Sequence, residues 1–186
     1  AVEHGEPLDL AATTERVLET RAGEIQGRRL QIDTDLDHAW TIGSPQLVER
    51  LVANLLDNAI RHNTAAGWLR VTTEDRDRAT LTVTNSGPVI PPTDLQRLKQ
   101  PFQRLAADRA NSGDGHGLGL SIVTAIVTAH GGTLNLEARP EGGLRAQVEL
   151  SHGPVHSQSA PAVPATASQQ PPRFAPPAAA GGGKVP

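Results

Sequence analysis

Ser44-Pro45-Gln46-Leu47-Val48-Glu49-Arg50-Leu51-Val52-Ala53-Asn54-Leu55-Leu56-Asp57-Asn58-Ala59-Ile60-Arg61-His62 is the stretch on which the fold turns. Ser44 can cap the free amides of a helix, and Pro45 suits its first position. Leu47, Val48, Leu51, Val52, Leu55, Leu56, Ala59 and Ile60 recur with helical period, which predicts a helix over 44–63 packed on a sheet. Asn54, Asn58, Arg61 and His62 fall at i, i+4, i+7 and i+8, within an arc of about 100°. A polar stripe on a largely buried helix needs partners, because an unpaired buried amide costs about 1–3 kcal/mol. Two readings stay open at this point. The stripe is either the solvent side of an amphipathic helix or a ligand site, in which an Asn oxygen suits Mg²⁺ and Arg suits phosphate.

Working outward, Leu8, Leu10, Ala11, Val17 and Leu18 sit at roughly helical spacing, in a pattern that ends near Gly27. Leu30–Asp33 and Ala39–Ile42 read as strands. Beyond the central helix, Trp68–Thr73 and Ala79–Asn85 form a hairpin across a polar turn at Asp75–Arg78. A Pro-, Gly- and charge-rich stretch from Ser86 to Gly117 is too long for an ordinary connection, and loops of that length are usually functional lids or disordered. A helix from Leu118 to about His130 stops at Gly131-Gly132, and Thr133–Ala138 and Leu144–Leu150 close the domain around Glu141-Gly142-Gly143. Strands and helices do not alternate as a doubly wound sheet requires. The fold class expected is α+β, a two-layer α/β sandwich.

Composition bounds what this domain does. The 186 residues carry 17 Lys and Arg against 20 Asp and Glu. That balance argues against a nucleic-acid or anionic-membrane surface. Without cysteine there is no disulfide, thiolate metal site or Cys nucleophile. No apolar run approaches the roughly 18 residues of a membrane span. The stretch 152–186 is rich in Pro and Ala, lacks Asp and Glu, and ends in Gly-Gly-Gly-Lys-Val-Pro. Such a segment buries too little apolar surface to offset its ordering entropy and is expected to be disordered. The domain expected is 8–151, preceded by a linker over 1–7 that leaves a missing helical domain.

Three further segments carry chemistry. Gly113-Asp114-Gly115-His116-Gly117-Leu118-Gly119-Leu120-Ser121-Ile122-Val123 places glycine at alternate positions directly before a helix. Either the chain there approaches a ligand closely, with the unpaired first amides of the helix as an anion site, or it is a flexible glycine loop of no chemical meaning, since glycine-rich turns are common. Neither GxGxxG nor GxxxxGK[ST] is present. Thr84-Asn85-Ser86-Gly87-Pro88-Val89-Ile90-Pro91-Pro92 follows a strand and can hold a planar base edge, though plain turns share its composition. Pro101-Phe102-Gln103-Arg104-Leu105 supplies a lone aromatic, which by itself reads as an anchor for the long loop.

In order and spacing these segments together resemble the ATP-binding catalytic domain of sensor histidine kinases, within the gyrase, Hsp90, histidine kinase and MutL ATPase superfamily. Asn54–His62 resembles the N box, Asn85-Ser86-Gly87-Pro88 the G1 box, Pro101–Arg104 the F box and Gly115–Val123 the G2 box. The resemblance spans about residues 8–150 and implies a Bergerat fold, with helices over one face of a mixed sheet. It implies that Asn58 holds Mg²⁺ bridging the ATP phosphates, with Asn54 beside it. Arg61 would neutralise phosphate charge, and His62 would lie along the nucleotide. Asn85 and Gly87 would meet the base, and Gly115, Gly117, Leu118 and Gly119 would surround the phosphates. Residues 98–117 would form a mobile ATP lid with Phe102 at its hinge. The reaction implied is transfer of the γ-phosphoryl to a histidine on a separate domain, which needs positioning and charge neutralisation rather than a general base.

Two departures stand out. The family's G1 box normally opens with Asp, and here Asn85 replaces a charged acceptor by a neutral one about half as strong. Its NH₂ is expected to donate towards a ring nitrogen. Val89 replaces the second glycine of that box and is expected to stiffen the turn, so ATP affinity should be weakened but not lost. The phosphoacceptor box is also missing, since His4-Gly5-Glu6-Pro7 cannot continue a helix. The partners implied are the protein's own dimerisation and phosphoacceptor domain and a response regulator. The parent would be a homodimer and the fragment a monomer, forming the cytoplasmic portion of a membrane-anchored bacterial sensor.

His116 lies where it can touch phosphate or merely space the lid. His130 falls at a helix C-terminus, where a structural role is expected. Rival readings are an anti-sigma-type serine kinase of the same fold and a degenerate docking module. A hydrolytic clamp is disfavoured, because Asn54 and Asn58 offer no carboxylate to activate water.

Overall fold

The computed structural model describes residues 5–99 and 118–152, all within one compact unit. The expected lid residues 100–117, with Phe102, Gly115, His116 and Gly117, and the tail from 153 lie outside the described residues. Five strands, β2 (Gln31–Leu36), β4 (Trp68–Asp75), β5 (Ala79–Asn85), β6 (Thr133–Ala138) and β7 (Leu144–Leu150), form a sheet in the order β2-β4-β5-β7-β6. β2 and β4 are parallel and the other pairs antiparallel. Strand alternation sorts the two faces. Leu69, Val71, Leu81, Val83, Ala146, Val148 and Leu150 are buried. Arg70, Thr82, Thr84, Arg145 and Glu137 occupy the opposite, polar face.

The helices α1 (Leu10–Gly27), α2 (Pro45–Arg61) and α4 (Leu118–Ala129) cover the apolar face, which makes two layers as expected. α2 starts at Ser44, whose Oγ accepts from the Leu47 amide, with Pro45 at the first position. Val48, Leu51, Val52, Leu55, Leu56, Ala59 and Ile60 all bury on its sheet side. Each large aliphatic side chain among them contributes about 1.5–3 kcal/mol. α4 lies beside α2. Its terminal His130 donates Nδ1–H to the Ile126 carbonyl (2.7 Å) and accepts the Ser44 amide on Nε2 (3.2 Å). This histidine is structural, as expected, and ties two helix ends together.

Two expectations are corrected. Leu8 and Asp9 do not begin the first helix, and Glu6 and Pro7, expected in the linker, join them in a strand. They form β1 (Glu6–Asp9), antiparallel to β3 (Trp40–Gly43) in a separate two-stranded sheet, and α1 starts after Asp9. Pro7 disfavours helix in the residue before it, and Asp9 caps α1 by accepting the Ala11 amide (3.0 Å). The long stretch after Ser86 is not loop throughout, because α3 (Pro92–Lys99) lies within it. Pro92 at its first position and Asp94 in its first turn suit a helix start.

Candidate functional site

The polar stripe of α2 is where segments remote in sequence meet. Asp57, one residue off the stripe, faces α1 and accepts both Nε (3.0 Å) and Nη2 (3.2 Å) of Arg21, whose pKa this hydrogen bond raises further. Asn54 and Asn58 are half-buried. The Asn54 Nδ2 donates to the Arg50 carbonyl (2.7 Å), leaving its Oδ1 facing α4. A Cβ placed on Gly119 would sit 3.5 Å from that oxygen, so Gly119 brings the first turn of α4 against the stripe. Leu118 opens the same turn. The amides of that turn lack intrahelical acceptors and carry the positive end of the helix dipole. The Asn58 side chain has no hydrogen-bond partner among the described residues.

At its other end the stripe meets β5. His62 is the C-cap of α2, and its carbonyl lies against Gly87, where an added Cβ would approach to 2.6 Å. Arg61 is exposed and His62 half-buried. Asn85 ends the inward row Leu81, Val83, Asn85, opposite Leu69 on one side and Leu144 on the other. It is only 3% exposed. Its Nδ2 donates to the Ser86 carbonyl at 2.7 Å, so one of the protons expected to reach a ring nitrogen is already engaged. The Oδ1 accepts no hydrogen bond among the described residues. Val89 is 68% exposed.

Residues that spacing did not single out hold this corner. Ser86 donates Oγ–H to Asn63 Oδ1 (2.7 Å) and accepts the Trp68 amide (2.8 Å), while Asn63 Nδ2 donates to the Trp68 carbonyl (2.9 Å). Arg139 stacks over the Trp68 ring, 4.6 Å from its centre. Gly142 and Gly143, with φ of 99° and 93°, bring the β6–β7 turn onto Asn85 and Gly87, and the Gly143 amide donates to the Pro88 carbonyl (2.9 Å). The double glycine marks a turn in the sequence, but nothing local reveals what the turn covers.

The polar stripe of α2 therefore meets Asn85 of β5 near one end and the first turn of α4 near the other. Such an arrangement suits a ligand with a hydrogen-bonding ring and an anionic chain. The sequence profile of the family described as histidine kinase-, DNA gyrase B-, and HSP90-like ATPase matches residues 43–154. The chain belongs to this family. The match takes in α2, β5, α4 and the β6–β7 turn, the elements that meet along the stripe. Among relatives of this ATPase family, the sensor protein CutS of Streptomyces coelicolor is 37% identical over 146 residues, covering 77% of this chain and 35% of that protein. The chain thus spans about a third of the length of that relative. Among solved structures, the mycobacterial sensor histidine kinase MprB is 29% identical with a TM-score of 0.64, covering 78% of this chain and 96% of that one. The histidine kinase domain of the E. coli osmosensor EnvZ is 34% identical with a TM-score of 0.60, covering 82% and 92%. The fold is that of histidine kinase catalytic domains, and membership of the family implies ATP binding. No described helix is long and apolar enough to cross a membrane.

A second concavity of about 230 Å³ lies between Leu98 of α3, Thr124, Val127 and Thr128 of α4, and Leu134 and Leu136 of β6. None of the candidate residues lines it.

Proposed function

We propose that this domain binds ATP with Mg²⁺ along the polar stripe of α2 and presents the γ-phosphoryl to a histidine on a separate domain of a two-component sensor kinase. The observation that carries the reading is the meeting of Asn54 with Gly119, and of His62 with Gly87 and Asn85, on one helix face. Asn85 Oδ1 accepts from the exocyclic amino group of adenine, and the ring of His62 lies along the nucleotide. Arg61 and the first amides of α4, from Leu118 and Gly119, neutralise phosphate charge. Phe102, Gly115, His116 and Gly117 are assigned to the lid around the phosphates on sequence alone.

The donor set fits the cation. Asn58 offers a half-buried neutral oxygen that nothing described engages, and Mg²⁺ is typically held by few protein oxygens plus phosphates. If bound there, Mg²⁺ would supply neutralisation of phosphate charge. The protein's part is positioning: Asn54 and Asn58 fix the phosphate end, and Asn85 fixes the base. We further propose that the parent protein is a homodimeric, membrane-anchored sensor with this domain in the cytoplasm, acting on its own phosphoacceptor domain and then a response regulator. The fragment alone is expected to be a monomer, with no nucleic-acid partner.

Calorimetric titration with ATP, with and without Mg²⁺, tests the reading on wild type beside Asn58→Ala. The expected result is Mg²⁺-dependent binding by wild type that Asn58→Ala loses, with an unchanged melting temperature. Absence of any binding by wild type at millimolar ATP would refute it.

A further inference from the structure

The face of α2 that carries Asn54, Asn58, Arg61 and His62 does not end at Asn54. Arg50 lies four residues before it, on the same face and about 6 Å further along the axis towards the start of the helix. The Asn54 side chain leans back over that turn and donates to the Arg50 carbonyl (2.7 Å), while the Arg50 side chain itself is exposed. No neighbouring acid answers its charge. The two acids of α2 are turned to α1, where Glu49 pairs with Arg16 (3.6 Å) and Asp57 with Arg21 (3.0 Å). Among the described residues Arg50 forms no ion pair. α2 and α4 run antiparallel, with His130 of the one end on Ser44 and Gly119 of the other on Asn54. From its C-terminal end the stripe therefore passes His62 beside Gly87, then Asn58, then Asn54 beside Gly119, and reaches Arg50 last.

We infer that Arg50 receives the outermost phosphate of a nucleotide lying along this stripe, and that through it the domain distinguishes a nucleoside triphosphate from the diphosphate. The inference rests on the nucleotide-binding reading above, which sets the base at the His62 end and the phosphates by Asn54 and the first turn of α4. Phosphates laid out in that direction come to Arg50 with their last member. That member is present in the triphosphate and absent from the diphosphate. A guanidinium fork matches two phosphate oxygens at once, which an ammonium cannot do. An arginine already paired with a carboxylate gives up that partner before it can bind phosphate, and Arg50 has none among the described residues to give up. Because the side chain is exposed, the contact is of modest strength and is screened by salt.

The probes are ATP and ADP, each with Mg²⁺, titrated into wild type and Arg50→Gln. Glutamine suits a helix about as well as arginine, and the Arg50 carbonyl that holds Asn54 belongs to the backbone and is retained. The expected result is that the preference for ATP over ADP, the ratio of their dissociation constants, falls at least about threefold in the variant. A smaller fall, including an equal loss on both nucleotides, overturns the inference, since a merely structural role for Arg50 would weaken both alike. A second measurement needs no variant. In ¹⁵N-labelled wild type the Arg50 Nε–H resonance is expected to move on saturation with ATP and to stay in place with ADP, and equal movement with both overturns the inference. If wild type binds neither nucleotide, the nucleotide-binding reading has failed and this inference falls with it. If both bind and the preference is unchanged in Arg50→Gln, only the assignment of Arg50 has failed.

Discussion

Gly87→Ala is the sharpest perturbation of the corner where β5 meets the end of α2. The added methyl would lie 2.6 Å from the His62 carbonyl oxygen, with the Gly143 Cα at 3.3 Å and the Asn85 Nδ2 at 3.4 Å. The first of these is backbone, so the neighbour cannot rotate away as a flexible side chain would. Overpacking of this kind costs about 1–3 kcal/mol. For a domain of this size 2 kcal/mol corresponds to a fall in Tm of roughly 4–8 °C. Because relief comes from separating residues 85–87 from His62, Asn85 is displaced as well. Losing that one hydrogen bond weakens ATP roughly three- to tenfold. Differential scanning calorimetry and ATP titration read the two effects. Gly23→Ala is the control. It lies inside α1, nothing comes within 4 Å of its added methyl, and it should raise stability by roughly 0.5–1 kcal/mol with binding unchanged. A Gly87→Ala protein with wild-type Tm and wild-type ATP affinity would refute the reasoning.

Asp9 is buried and joins three elements: its Oδ1 accepts the amides of Ala11 and Ala39 (3.0 Å each), and its Oδ2 pairs with His38 Nδ1 (2.6 Å). Asp9→Ala removes a helix cap and strands the amide of the fully buried Ala39, so urea denaturation should show a loss of about 2–4 kcal/mol, with Asp9→Asn losing less. The hydrogen bond and charge of Asp9 also raise the His38 pKa above its ordinary value. A raised folded-state pKa stabilises fully below the unfolded value near 6.5, and the contribution disappears as pH climbs through the folded value. Wild type should therefore lose stability relative to His38→Ala as pH rises above the ordinary histidine value of about 6.5. The change should be small, because the ring is largely exposed. Parallel pH profiles for the two proteins would contradict this assignment.

Much of the fold was legible because its long elements have clean periods and stops. The expected 44–63 helix is α2 within two residues of each end, and Gly131-Gly132 ends α4 as its glycines indicate. α3 escaped because its eight residues lie among prolines and carry only Leu95 and Leu98 as apolar positions, too few to reveal a period. β1 escaped because Leu8 fits a helical spacing with Leu10 and Ala11, although Pro7 and Asp9 were readable as an extended segment followed by a cap.

For the site, the shared face of Asn54, Asn58 and His62 follows from helical spacing alone. The inward direction of Asn85 follows from the alternation of Leu81 and Val83. The clamp of Asn63, Trp68 and Ser86 joins a helix end, a strand start and a turn that no spacing rule connects. It becomes visible only when β4 pairs with β5.

The most direct measurement is amide chemical-shift mapping of the ¹⁵N-labelled protein during titration with ATP and Mg²⁺. The account predicts that the large shifts fall on Asn54, Asn58, His62, Asn85, Gly87 and Gly119 together, at one common affinity. Shifts confined to Thr124, Thr128 and Leu134 around the second concavity, with the α2 stripe unmoved, would contradict it.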